Sequence, residues 1–176
     1  MGSFTMFGVF VAAVAVVLAV KSYQNTKKRK EGEKNADIQA TTEDVYVDTG
    51  FKGSKDFFLA GVQHHCTRSD IGFFTGVVYN DNGNIHDRKA MAVWCHQTDK
   101  ALGFVPASVL DEYWTWSDGK KCTCVGYLFF DGEMIRGRVR AYLPSCDHDA
   151  VMKDIVEYAK QVCGHFGWSV PSFVAV

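Results

Sequence analysis

The sequence has little proline and almost no net charge. Its 176 residues include only three prolines, and the formal net charge is -1. The scarcity of proline argues against disorder over most of the chain, and the small charge gives no general electrostatic attraction to nucleic acid. The sequence is rich in apolar residues: 47% are hydrophobic and 14% are aromatic, enough for the core of one domain with additional segments.

The sequence also lacks the motifs that identify common enzyme classes. It contains no G-x-S-x-G, no phosphate-binding loop and no H-E-x-x-H. His65 and Cys66 are neighbours, and neighbouring side chains of a strand point to opposite faces, so they would not form a thiol–imidazole pair. We therefore predict that the protein is not an enzyme. The alternative is a small enzyme that uses His64 and Asp87.

Cysteine pairs with the spacing of a zinc site are missing as well. The six cysteines include no C-x-x-C pair, whereas structural zinc sites usually have cysteines separated by two to four residues. No secretory processing signal is evident, so we expect reduced thiols. Buried thiols that pack as small apolar groups are favoured over a zinc site, whose candidate ligands would be Cys122, Cys124, Cys146 and His148. We predict no cofactor.

Charge is absent from one long stretch, which begins at Phe4 and ends at Val20. At ~1.5 Å per residue this run covers about 25 Å of a hydrocarbon core of ~30 Å, and we predict a transmembrane anchor over residues 1–22. The positive-inside rule then places the rest of the chain in the cytoplasm, because basic residues follow at Lys21, Lys27, Lys28, Arg29 and Lys30. A cleaved signal peptide, which would need a positive n-region, and a buried globular helix are the alternatives.

Short segments of alternating character follow a polar linker over residues 23–52 and predict a mainly β domain with helices. We predict strands over residues 57–63, 71–79, 89–95, 101–105, 121–130 and 134–143. A helix follows Pro106, with Ser108 as its N-cap. The strands and this inserted helix predict a small antiparallel barrel over residues 53–144.

The C-terminal segment, residues 145–176, has helical periodicity instead. Its apolar residues recur at nearly every fourth position from Asp147 to Cys163, which predicts an amphipathic helix. Gly164 is the expected stop. We expect four further side chains to pack back on the barrel: Phe166, Trp168, Phe173 and Val174.

Three short motifs occur in a fixed order along the predicted barrel. A hydrophobic segment ends in G-V-Q-H-H, then comes N-x-H-D-x-x-A-x-x-V, which starts at Asn84, and then L-G-F-V-P, which starts at Leu102. In this order and at this spacing they resemble the HIRAN domain family, over roughly residues 55–143. The resemblance implies an OB-like barrel with helical insertions and a groove that, in some members, holds the 3′ end of single-stranded DNA.

The resemblance also implies which residues would line that groove, and this chain keeps part of the set. Asp87 matches the family's aspartate, and His64 and His86 stand where aromatic residues are usual. Gln63 replaces an arginine, Phe104 replaces a histidine so that ring stacking is kept, and Ala107 replaces a lysine. Two phosphate-binding cations of the family are therefore missing. For Asp87 a second role is open, as a cap that fixes its loop by accepting backbone N–H groups.

A row of arginines near the end of the barrel is the main basic feature. Arg136, Arg138 and Arg140 alternate along one strand, so their guanidinium groups should leave the same face. Arginine forks bind phosphate with two parallel hydrogen bonds, and three in register predict a surface that follows a nucleic-acid backbone. The alternative is a solvated face of the barrel, whose charges keep the protein soluble and disfavour edge-to-edge pairing with other strands.

Together these patterns predict a membrane-anchored, non-catalytic binding module. Its expected ligand is nucleic acid, either single-stranded DNA or DNA ends, bound by Gln63, His64, His86, Asp87, Phe104 and the three arginines. The alternative is a membrane-anchored domain that binds a protein partner and has lost DNA binding.

Overall fold

The structure is a computed structural model that describes residues 44–174. The predicted transmembrane anchor and most of the predicted linker lie outside these residues. Among the helices of the described part, none combines the length and the apolar character needed to cross a bilayer.

The described residues form one antiparallel sheet with three α-helices. The elements in chain order are β1 (Ser54–Phe58), α1 (Val62–His65), a 3-10 helix (Arg68–Asp70), β2 (Gly72–Asn80), β3 (Met91–Cys95), β4 (Lys100–Phe104), α2 (Ala107–Ser117), β5 (Cys122–Phe130), β6 (Ile135–Tyr142) and α3 (His148–Phe166). The strand order is β1-β6-β5-β2-β3-β4. The prediction of a mainly β domain with an inserted helix and a C-terminal helix is confirmed.

One face of the sheet, which we call the inner face, packs against α1 and α2. Phe57 of β1 meets Tyr113 of α2 with ring centroids 5.4 Å apart, and both are buried. A glycine makes room for the ring of Phe74 on β2: a Cβ at Gly126 would lie 2.7 Å from Cζ of Phe74. The inner face is therefore a filled apolar core rather than an open cavity.

The two ends of the sheet approach each other at a single place, which we call the seam. Ala60, just after β1, exchanges two backbone hydrogen bonds of 2.9 Å with Phe104 of β4. Gly103 permits this approach, because a Cβ there would lie 2.6 Å from the carbonyl oxygen of Ala60. In the described part of the chain the seam is an isolated bridge, so the sheet is curled but not closed into a barrel.

The opposite face, the outer face, packs against α3. Asp147 caps this helix by accepting the N–H of Ala150 at 2.9 Å, and the buried stripe of the helix covers the aromatic residues of β5. The predicted stop at Gly164 is wrong, because the helix continues to Phe166. Gly167 ends it, with φ of 69° in the left-handed region that favours glycine.

The C-terminal tail packs on the outer face as predicted, except at one residue. Trp168 stacks on Phe166 with ring centroids 4.4 Å apart, and Val174 is buried. Phe173 was expected to pack as well, but it is 43% exposed.

Two local predictions around the first motif and the inserted helix are wrong. The strand predicted over residues 57–63 ends at Phe58, because Gly61 adopts φ of 75° and starts the short helix α1. Ser108 does not cap α2: the helix starts one residue earlier, after Pro106, without a side-chain cap. Proline at the N-cap sets a φ of -60° that leads directly into the first turn.

Residues 44–49, which we call the strap, lie across the outer face. Val47 is only 2% exposed and belongs to the core between the sheet and α3. The hydroxyl of Tyr127 donates to the carbonyl of Val45 at 2.7 Å or to the carboxylate of Asp44 at 2.5 Å. The end of the predicted linker is therefore part of the folded domain.

Candidate functional site

The residues of the first motif lie at the seam on a short exposed helix. Gln63, His64 and His65 are all exposed, whereas Val62 of the same helix is buried beneath them. This difference in exposure follows from the length of the helix, because in a helix of one turn only one of the four side chains faces the core. Of these residues, Gln63 and His64 were predicted as binding residues.

Phe104 links this helix to the sheet. Its half-buried ring meets the ring of His65 edge-on, with centroids 5.6 Å apart. Lys100, at the other end of β4, donates to the carbonyl of His65 at 3.2 Å and to the carboxylate of Asp70 at 2.8 Å. Burial raises the pKa of Asp70, but the bonds from Lys100 and Thr67 outweigh it and lower this pKa.

The loop that carries the second motif is organised by asparagine and aspartate side chains. Oδ1 of Asn84 accepts the backbone N–H groups of His86 at 2.9 Å and Asp87 at 3.1 Å. Oδ1 of Asp87 in turn accepts the N–H of Lys89 at 2.8 Å. Asp87 therefore has the capping role that the sequence left open, while its side chain and that of His86 remain exposed.

The loop and α1 flank the same end of β4. Phe104 bonds to Ala60, just before α1, and the next residue, Val105, donates to the carbonyl of Met91 at 2.9 Å, just after the loop. Within residues 44–174, no hydrogen bond, ion pair or ring contact joins His64 to Asp87 directly. The two motifs therefore lie at the same end of β4, which we call the rim, without a direct contact between His64 and Asp87.

The three arginines share the outer face, as predicted, but they do not form an exposed row. The exposed fractions of their side chains fall along the strand, from 49% for Arg136 to 13% for Arg138 and 3% for Arg140. Each forms at least one ion pair with an aspartate. The prediction of a phosphate-binding surface made of all three residues is therefore wrong for Arg140, which is covered by the strap and α3.

Arg140 is the centre of a buried polar network. Its Nε and Nη2 both donate to Asp56 at 3.0 Å, and Nη1 donates to Thr49 at 2.6 Å and to Asp154 at 3.4 Å. Its guanidinium also lies over the ring of Tyr158, 4.6 Å from the centroid. The network joins the strap, β1, β6 and α3, so this arginine has a structural role.

A groove of about 360 Å³ opens at the exposed end of the arginine row. We call it the Phe58 groove; it is lined by Phe58 and Leu59 from the end of β1, by Asp131 and Arg136 from the β5–β6 hairpin, and by Asp44 of the strap. Sequence reasoning missed it. The consecutive phenylalanines of β1 were the available signal, since one of two neighbours on a strand must leave the core.

The thiols of the described residues are free, and five of the six are buried. Burial, with a smaller contribution from Asp70, raises the pKa of Cys66 to about 11, so this thiol stays protonated. In the described part of the chain, no group of histidine, cysteine and acidic side chains is arranged to hold a metal ion.

The β5–β6 hairpin beside the groove should make folding stability depend on pH. Backbone N–H groups of Met134 and Glu133, together with Arg136, lower the pKa of Asp131 from 3.8 to about 2. A lowered pKa stabilises the fold above pH 4, and this contribution is lost as the pH falls towards 2. We expect Asp131→Asn to flatten the pH dependence of urea unfolding in this interval. An unchanged slope would show that Asp131 titrates normally, and the exposed Asp118→Asn is the control.

Comparisons with protein-family models, curated proteins and solved structures found no match, so the resemblance to the HIRAN family stays a prediction.

Proposed function

We propose that the protein is a membrane-anchored, non-catalytic module with an OB-like curled sheet that binds nucleic acid, as single-stranded DNA or DNA ends, at the rim of the seam. The observation that supports the proposal is that α1 and the loop, both with exposed side chains, adjoin the same end of β4: Ala60 before α1 bonds to Phe104, and Met91 after the loop bonds to Val105. The ring of Phe104 also meets His65 of α1. Aromatic rings next to polar and basic groups are how OB-like surfaces hold single strands.

The charges around the rim support a polyanionic ligand. Arg88 and Lys89 are exposed on the loop, and the pair between Lys89 and Asp111 joins two well-exposed side chains 3.1 Å apart. Exposed pairs of this kind contribute little and are easily exchanged for another anion. Basic groups of the rim could therefore contact phosphates even though the family's arginine and lysine positions hold Gln63 and Ala107.

A protein partner is the second candidate, and one observation favours it. The arginines of β6 form ion pairs within the chain, so the main basic feature of the predicted barrel is partly neutralised. Exposed apolar side chains, such as Ile85 at 90% exposure in the loop, would suit a protein surface as well as a nucleic acid.

A titration of the full-length chain in mild detergent separates the two candidates. We expect a short fluorescent oligodeoxythymidine to bind with an affinity that falls as salt rises, because binding releases counterions. His64→Glu should weaken binding at least ~10-fold, equivalent to ~1.4 kcal/mol, by placing a negative charge on the rim. His148→Glu, the same change at an exposed histidine at the start of α3, is the matched control.

Blocking the 3′ hydroxyl of the strand tests whether the site recognises an end. A lower affinity for the blocked strand would support end recognition, and equal affinity would support binding along the strand. No binding at low salt would reject the nucleic-acid proposal and leave the protein partner.

A further inference from the structure

The Phe58 groove has features of a ligand site that the rim does not include. The ring of Phe58 is 44% exposed at the end of a strand, so part of an aromatic surface is accessible to a ligand. The guanidinium of Arg138 lies over this ring, 4.4 Å from its centroid. The arginine fixes the ring in place from one side and leaves ring surface open to the groove.

Arg136 supplies unused hydrogen-bond donors at the lip of this groove. Its Nε is bound to Asp131 at 2.6 Å, which fixes the plane of the guanidinium. Among the described residues, neither of its terminal nitrogens has a partner, and half of the side chain is exposed. A guanidinium held by Nε with both Nη groups free can donate two parallel bonds to an anion.

The acidic residues that line the groove do not oppose an anion as strongly as their number implies. Both oxygens of Asp131 accept hydrogen bonds, Oδ1 from the N–H groups of Glu133 and Met134 and Oδ2 from Arg136. Both oxygens of Asp44 are also occupied, by Tyr127 and by two nitrogens of Arg138. These carboxylates position the cations and have little capacity left to bind a cationic ligand.

The groove continues into the seam along the chain. Leu59 lines the groove and donates its N–H to Gly137 at 2.8 Å, and the next residue, Ala60, forms the bridge with Phe104. Two residues of extended chain span only ~7 Å. One flexible strand could therefore reach both places.

We propose that the Phe58 groove binds one nucleotide unit of the single strand, with the base against the ring of Phe58 and a phosphate on the Nη groups of Arg136. This inference rests on the proposed function and extends it to a second contact. It makes the base, and not only the phosphates, necessary for binding.

The test compares two strands of equal length on the full-length chain in detergent: oligodeoxythymidine and an abasic strand with the same phosphates. We expect Phe58→Leu, which keeps an apolar side chain but removes the ring, to weaken binding of oligodeoxythymidine roughly 5- to 150-fold. Binding of the abasic strand should change little, since it has no base to stack. Arg136→Gln should weaken both strands, because both carry phosphate.

Met134→Leu, at an exposed apolar residue of the same hairpin, is the matched control and should leave both affinities unchanged. If Phe58→Leu lowers the affinity for both strands equally, or for neither, while His64→Glu still weakens binding, the groove proposal is overturned and the proposed function stands. If the unaltered chain binds neither strand, both proposals are rejected. Should Phe58→Leu fail to fold, Arg136→Gln decides, and affinities equal to those of the Met134 control overturn the proposal.

Discussion

Replacing Arg140 by alanine should cost about 3–5 kcal/mol of unfolding free energy, the largest effect we expect of any single arginine in β6. The change would leave Asp154, which is 7% exposed, without its cation, and Asp56 would lose two hydrogen bonds of 3.0 Å. Tyr142 would still donate to Asp154 at 2.7 Å, but one neutral hydroxyl does not compensate a buried carboxylate. Urea unfolding followed by tryptophan fluorescence measures the loss.

Arg136→Ala is the matched control for this change. It lies on the same strand and face and also pairs with an aspartate, but its side chain is 49% exposed. A pair screened by solvent contributes ~1 kcal/mol or less, so we expect the midpoint of unfolding to move little. Equal effects of the two substitutions would contradict the buried network described for Arg140.

A chain that begins at residue 50, and so lacks the strap, should lose at least ~3 kcal/mol relative to a chain that begins at residue 44. Removal of Val47 uncovers the core beneath it, and burial of a valine contributes about 1.5–3 kcal/mol. Arg140 would also lose its bonds to Thr49 and to the carbonyl of Val47, and unsatisfied buried donors cost ~1–3 kcal/mol each. Urea unfolding of the two chains gives the difference.

The two changes should not be additive. Once the strap is removed, Arg140 is partly open to water, so Arg140→Ala should cost less in the shorter chain than in the longer one. Additive losses would mean that the strap and Arg140 stabilise the fold independently. Binding to a chain that begins at residue 50 would not separate two effects: the lower stability caused by loss of the strap and the loss of any contact between the strap and the ligand.

The strand pattern was predictable because alternation and turn residues are local properties. The strand predicted over residues 71–79 is shifted by one residue from β2 (Gly72–Asn80). The strand predicted over residues 121–130 starts one residue before β5 (Cys122–Phe130) and ends at the same residue. The error at the first motif has an equally local cause. An apolar run that continues through a glycine reads as a strand, whereas Gly61 takes a left-handed conformation and turns the chain into α1.

The state of the arginines was not predictable from β6 alone. Alternation placed Arg136, Arg138 and Arg140 on one face correctly, but it carries no information about what covers that face. The partners of Arg138 and Arg140 include Asp44 and Asp56, which are 94 and 84 residues away in the sequence. A basic row was therefore interpreted as a surface, although only its first member is substantially exposed.

The buried thiols are distributed over several elements of the fold, so their reactivity can report local unfolding of each element. Cys95 lies on β3, Cys122 and Cys124 lie on β5, and Cys163 lies on α3, each shielded from solvent. A thiol reagent can reach each of them only when the element above it opens, so alkylation rates mapped by mass spectrometry would rank the regions by local unfolding free energy without any mutation. Cys146, which is partly exposed, would react first and set the reference rate.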